Sequence, residues 1–205
     1  MLATFLKGAT AAAAAPVEVV SSELTNAGSA TSITVNKPSD VVEGNLLFAV
    51  INCNAGGRTL TVPSGWTLVN TTVNRFFAYK TADGSEPSSY TFTFSSSVSS
   101  STGGIVNLSP CNVDVVGTTS ASGVNATAPG ITVTSDNSLV LLIVTANTTS
   151  NTVATPTDWT LVYIRTLSSA QAVFSRSYNA GATGDIATTS SASGTRASLV
   201  SFAPA

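Results

Sequence analysis

The 205-residue chain carries few charges, since only 9% of its residues are charged against roughly 25% in an average soluble domain. Its formal net charge of −2 argues against nucleic-acid binding, which needs a basic face to displace phosphate counterions. The chain has no histidine, so the commonest general base and every His-based catalytic triad are excluded. We therefore expect no enzyme and no cofactor.

Residues 1–25 precede the first clear strand pattern and are predicted to form an extended or partly helical arm. The alanine run 11–15 can form a helical turn but offers no wide apolar face. A secretory signal peptide is the alternative, but no basic residue precedes the apolar stretch, and Lys7 with Gly8 interrupts it. No later apolar run is long enough to span a bilayer, so no membrane partner is expected.

From residue 26 onward the patterns are those of β-strands. The segments RTLTV (58–62) and YTFTF (90–94) alternate in polarity, so each is predicted to bury one face. The segments LLFAVI (46–51) and LVLLIV (139–144) are continuous apolar runs, which indicate central strands buried on both faces. Clusters of Gly, Ser, Asn and Pro separate the segments and predict turns.

The order of segments in residues 30–110 recurs in residues 128–204. Each half has an ITV strand, a long apolar strand, a P-x-x-W-T-L-V segment and a closing strand before a proline. Many short strands with turn-rich connections predict one all-β domain over residues 26–205, an antiparallel β-sandwich or jelly roll. Because residues 111–130 are partly strand-like, we expect two pseudo-repeated halves around one core, with two tandem domains as the alternative.

Trp66 and Trp159 occupy equivalent points of the two halves. Exposed indoles can form a stacking platform for sugars, but a repeated Pro-x-x-Trp segment favours a core anchor. Asp158 stands where the first half has Gly65, so the turn before the tryptophan is expected to differ between the halves.

Asp83 and Glu86 lie three residues apart in a Gly/Ser-rich loop that could hold calcium. Only two carboxylates are local, so a turn is favoured and no metal site is predicted. Cys53 and Cys111 could pair, but two separate buried thiols are favoured. The remaining acids near turns are expected to accept backbone hydrogen bonds, and no catalytic pair is predicted among them: Asp40, Glu43, Asp114, Asp136, Asp158 and Asp185.

Several segments together resemble a jelly-roll-like β-sandwich domain of phage virion proteins, which also occurs in some bacterial surface or secreted proteins. They are GNLLFAVI (44–51), PSGWTLV (63–69), FAYKTADGSEPSSYTFTFS (77–95), GGIV (103–106) and AGATGD (180–185). The resemblance covers roughly residues 30–204. It implies a structural or adhesive role in particles and brings no catalytic residues.

The resemblance and the low-charge surface together predict a structural virion protein of a tailed phage, on the exterior of the particle. It would be a homo-oligomeric capsid decoration or head-fibre component. Its arm would bind the major capsid protein or neighbouring subunits through Leu2, Phe5, Leu6, Val17 and Val19. The alternative is a carbohydrate- or receptor-binding adhesin of a tail fibre or bacterial surface, binding host glycans through Trp66 and Trp159.

Overall fold

The regular structure is entirely β in the computed structural model, which describes residues 13–72, 74–148 and 151–205. The strands within these ranges are β1 Val19–Ala27, β2 Ala30–Asn36, β3 Leu46–Cys53, β4 Leu60–Thr61, β5 Thr67–Thr72, β6 Arg75–Thr81, β7 Ser89–Val98, β8 Ser101–Leu108, β9 Cys111–Val116, β10 Thr127–Ala128, β11 Thr132–Val133, β12 Ser138–Ala146, β13 Thr160–Arg165, β14 Ala170–Tyr178, β15 Gly181–Ala182, β16 Ile186–Ala187 and β17 Arg196–Pro204. Their pairings are antiparallel. The predicted all-β antiparallel sandwich is therefore confirmed.

Two five-stranded sheets form the centre of the molecule. Inner sheet N has the order β1-β8-β3-β6-β5, and inner sheet C has the order β13-β14-β12-β17-β9. The three-stranded sheet β2-β7-β4, here called outer sheet N, covers inner sheet N. Two ribbons, β10-β16 and β11-β15, cover inner sheet C.

The long apolar strands β3 and β12 are buried on both faces, as predicted, because each contributes to two cores. Leu47 and Ile51 face outer sheet N, whereas Phe48 and Val50 face inner sheet C. β12 divides its side chains in the same way between the central core and the core under the ribbons. Two halves around one core were expected. A central core does join the two halves, and each half also has a further core of its own beneath its outer layer.

The two inner sheets have the same strand order when β3 is matched to β12. β6, β5, β8 and β1 then correspond to β14, β13, β17 and β9. Bulges interrupt the β5–β6 and β13–β14 pairings at equivalent points. The jelly-roll connectivity and the kinship of the two halves stay predictions.

The predicted arm boundary at residue 25 is wrong, because residues 19–25 belong to β1. This strand pairs with β8 along its length, and its mostly half-buried side chains suit a partly covered edge strand. Val17 is 2% exposed within the central core, and Val19 packs against the same core. These two valines therefore stabilise their own chain, while Leu2, Phe5 and Leu6 lie outside the described residues.

Candidate functional site

The most concentrated group of charges lies where β6 leads into β7. Lys80 Nζ is 2.8 Å from Glu86 Oε1 and 3.1 Å from Asp83 Oδ2. Glu86 also accepts hydrogen bonds from the Asp83 amide at 2.8 Å and from the Tyr90 hydroxyl at 2.6 Å. The Glu86 side chain is only 2% exposed, so this ion pair is largely removed from water.

The loop sequence determines this arrangement locally. Asp83 Oδ1 accepts a hydrogen bond from the Ser85 amide at 2.9 Å, the usual Asx turn of an aspartate that begins a tight loop. This turn brings Glu86 back beneath Lys80. Both carboxylates that could have held calcium are thus bound to groups of their own loop, and the described residues contain no group of three or more His, Cys, Asp or Glu side chains suited to a metal.

The protonation states of Lys80, Glu86 and Tyr90 favour a structural role for this cluster. Burial alone would raise the pKa of Glu86, but hydrogen bonds from Lys80, Tyr90 and the Asp83 amide outweigh it and lower the pKa. Burial would likewise lower the pKa of Lys80, yet its two carboxylate partners raise it. Burial and the bond to Glu86 raise the pKa of Tyr90. At neutral pH the cluster holds one ammonium, two carboxylates and a neutral phenol.

Both tryptophans belong to the cores and are 7% exposed. Trp66 packs edge-on against Tyr90 and Phe92, with ring centroids 5.1 and 5.3 Å away. Trp159 lies 6.3 Å from the ring of Tyr178. Neither indole presents a face to solvent, so the stacking platform that the adhesin alternative needs does not exist at these residues.

The turns before the two tryptophans are alike, and the expectation that they differ is wrong. The Trp66 amide donates to Pro63 O and the Trp159 amide donates to Pro156 O, both at 3.2 Å. Asp158 adopts φ +65° where Gly65 has +81°. Aspartate tolerates this left-handed conformation better than most residues because its short polar side chain can bond locally. Asp158 also lies 3.8 Å from Arg176.

Three of the remaining acids cap backbone amides, as predicted. Asp114 Oδ2 accepts from the Thr134 amide at 3.1 Å, Asp136 Oδ1 from the Ala180 amide at 3.0 Å, and Asp185 Oδ1 from the Gly130 amide at 2.8 Å. Asp40 lies in a turn with φ +57°. The hydrogen-bonded carboxylates therefore stabilise the conformations of their loops.

The sequence did not predict a polar layer that joins the halves at one end of the central core. Gln171, 1% exposed, donates to Val50 O at 3.1 Å and to the Tyr163 hydroxyl at 2.7 Å. Asn52, fully buried, donates to Ala170 O at 3.3 Å. The sequence signal for this layer was a polar residue near one end of a largely apolar strand, Asn52 near the end of β3 and Gln171 near the start of β14.

Arg75 extends this polar layer from β6 into the C-terminal half. Its Nε donates to Thr145 Oγ1 and its Nη2 to Gly194 O at 3.4 Å. Burial, assisted by the charge of Arg196, lowers the pKa of Arg75 to about 10. The guanidinium still carries its charge at neutral pH, and it contacts both halves across the sheet interface.

The cysteines are two separate buried thiols, as favoured from the sequence. Burial raises the pKa of Cys111 to about 12 and also raises that of Cys53. Neither has the lowered pKa of a nucleophilic thiol.

The chain is therefore an all-β protein with four layers of strands, in which buried polar groups stabilise the loops and the packing of the sheets. No protein-family model, curated protein or solved structure matches the chain. The described residues also include no helix capable of crossing a membrane.

Proposed function

We propose that this protein is an assembly component of a particle, most specifically a capsid decoration or head-fibre protein of a tailed phage. Its N-terminal segment would bind neighbouring subunits. The observation that carries the proposal is the anchoring of residues 14–17, the described start of that segment, to the C-terminal half.

The base of the segment is fixed to the C-terminal half. The Val17 amide donates to Asn137 O at 3.0 Å, and Asn137 Nδ2 donates to Ala14 O at 2.9 Å. With Val17 in the central core and residues 13–16 exposed, this part of the chain is held at a defined position beside Asn137. Residues 1–12 include Leu2, Phe5 and Leu6, and burial of these side chains against a partner would stabilise an assembly.

The internal chemistry supports an assembly role over catalysis. The Lys80–Glu86 ion pair stabilises the loop between β6 and β7, and both cysteine thiols have raised pKa values. The surface grooves beside Thr152 and beside Ser99 are lined mainly by Ser, Thr and Asn. The adhesin alternative required exposed indoles, so the burial of both tryptophans removes the observation on which it depended.

Light scattering on the full chain and on a chain that begins at Ala13 tests this function. We expect the full chain to associate as its concentration rises and the shortened chain to remain monomeric with unchanged circular dichroism. Truncation at residue 25 would be unsuitable, because it removes most of β1. A full chain that stays monomeric over the whole concentration range contradicts the proposal.

A further inference from the structure

A groove of about 250 Å³ opens between β1, the edge strand of inner sheet N, and β13, the edge strand of inner sheet C. Most of its lining residues are polar and come from the ends of these two strands: Thr25, Asn26, Arg165 and Thr166. Cavities for drug-sized ligands usually measure about 300–1,000 Å³. The groove therefore suits a small polar ligand.

Arg165 carries a charge that the chain does not use. The other four arginines among the described residues each donate a hydrogen bond or form an ion pair, whereas Arg165 does neither. Its Nε is shielded from water and has no hydrogen-bond partner. A buried donor without a partner is costly, and such a group in a folded protein usually bonds a water, an ion or a ligand. Because a guanidinium is always charged at physiological pH, the groove holds an uncompensated positive charge.

No carboxylate of the same chain is available to neutralise Arg165. Glu23 is the acid nearest to the lining in sequence, but Leu24 packs into the central core, so Glu23 lies on the opposite face of β1. The residues outside the described ranges include no Asp or Glu. The C-terminal carboxylate follows β17, whose last residues pair near the start of β12, whereas Arg165 lies level with the end of β12. A negatively charged partner must therefore come from another molecule.

The other polar side chains of the groove are also free to bind a ligand. Those of Thr25, Asn26 and Thr166 make no hydrogen bond to any other part of the chain that the structure describes. In the groove beside Ser99, by contrast, the Asn54 amide already donates to the Ser99 hydroxyl at 2.6 Å. Hydroxyl and amide groups both donate and accept hydrogen bonds, as the hydroxyl groups of a ligand require. The β1–β13 groove thus offers a cation beside three neutral hydrogen-bonding groups.

We propose that this groove binds a small hydroxylated carboxylate, the chemistry of a sugar acid. Arg165 pairs with the carboxylate, because the fork of a guanidinium matches the two oxygens of a carboxylate. Asn26 and the two threonines bond the hydroxyl groups. The site lies at the end of β12 remote from Asn137, where the N-terminal segment is anchored. Binding here does not depend on the proposed assembly.

NMR titration of the full chain tests the site, because the Nε–H group of Arg165 gives its own proton–nitrogen signal. We expect glucuronate to shift this signal. Glucose has the same ring with a hydroxymethyl group in place of the carboxylate, and it should leave the signal unchanged. Acetate supplies a carboxylate without hydroxyl groups, and it should bind about tenfold more weakly than glucuronate or worse.

Arg165→Gln removes the charge, and Arg176→Gln is the matched control because Arg176 is a half-exposed arginine that pairs with Asp158 near the other end of β12. We expect Arg165→Gln to weaken glucuronate binding by about tenfold or more and the control to leave it unchanged. Asn26→Ala changes an exposed residue, so the fold should persist while glucuronate binding weakens severalfold.

Glucose that binds as tightly as glucuronate would overturn the inference, as would unchanged glucuronate affinity in Arg165→Gln. Acetate that binds as tightly as glucuronate would overturn the ligand class, because the hydroxyl groups would then contribute nothing. A full chain that binds neither glucuronate nor galacturonate would overturn the site. It would leave assembly through the N-terminal segment standing, since light scattering tests that assembly separately.

Discussion

Replacing Glu86 by glutamine should destabilise the protein more than any other change of a single charged group in the β6–β7 loop. The carboxylate accepts from Lys80, Tyr90 and the Asp83 amide at 2.6–2.9 Å with a side chain only 2% exposed. Glutamine keeps one acceptor oxygen but turns an NH₂ group towards these donors. Hydrogen bonds to a charged group contribute about 1.5–3 kcal/mol, so we expect a loss of about 2–4 kcal/mol. For a chain of this size that lowers Tm by about 5–15 °C.

Urea unfolding followed by tryptophan fluorescence measures this loss, because Trp66 packs on Tyr90. Glu43→Gln is the matched control, since Glu43 is an exposed glutamate in a nearby loop. A Glu86→Gln variant within about 0.5 kcal/mol of the original protein, like a typical surface substitution, would refute the reasoning.

The same variant predicts a change in pH dependence. The pKa of Glu86 is lower in the folded protein than its ordinary value of 4.5, so the unfolded chain binds this proton more readily. The stabilisation is complete above that ordinary value and is lost as pH falls through the folded pKa. Glu86→Gln should therefore lose less stability on acidification than the original protein, and parallel stability curves below pH 4.5 would contradict this.

Three further changes test other parts of the structure. Gly65→Ala should cost about 1–2 kcal/mol because of its positive φ, whereas Asp158→Gly should be nearly neutral, and urea unfolding giving the reverse order would contradict the equivalence of the turns. Gly104→Ala should cost about 1–3 kcal/mol in the same assay, because its Cβ would lie 2.2 Å from a tyrosine hydroxyl of the other half; an unchanged midpoint would argue against this close packing. Cys53 and Cys111 should react with a thiol reagent only after unfolding, and rapid labelling of the native protein would show that they are accessible.

The sequence predicted those features that depend on local pattern. The unbroken apolar runs of β3 and β12 predicted strands buried on both faces, and both strands are central. The alternation of residues 90–94 predicted the single buried face of β7. The Gly/Ser-rich setting of Asp83 predicted a turn, and Asp83 closes one.

Features that depend on distant packing were not predictable in this way. A strand buried on both faces does not reveal what covers its second face, so the outer layers and the separate core beneath each of them were missed. The polar layer of Arg75 and Gln171 was missed for the same reason, because the bonds of Arg75 to Gly194 O and of Gln171 to Val50 O join residues 119 and 121 positions apart, across the two halves. The start of β1 was placed too late because its Ser- and Thr-rich edge strand has only a weak apolar pattern.

Assembly through the N-terminal segment is tested most directly by the native mass of the intact chain across a dilution series, beside that of the chain beginning at Ala13. We predict multiples of 20.6 kDa for the full chain at high concentration and a monomer for the shortened chain. A 20.6 kDa species at every concentration for the full chain, or equal association of both chains, would contradict assembly through the N-terminal segment.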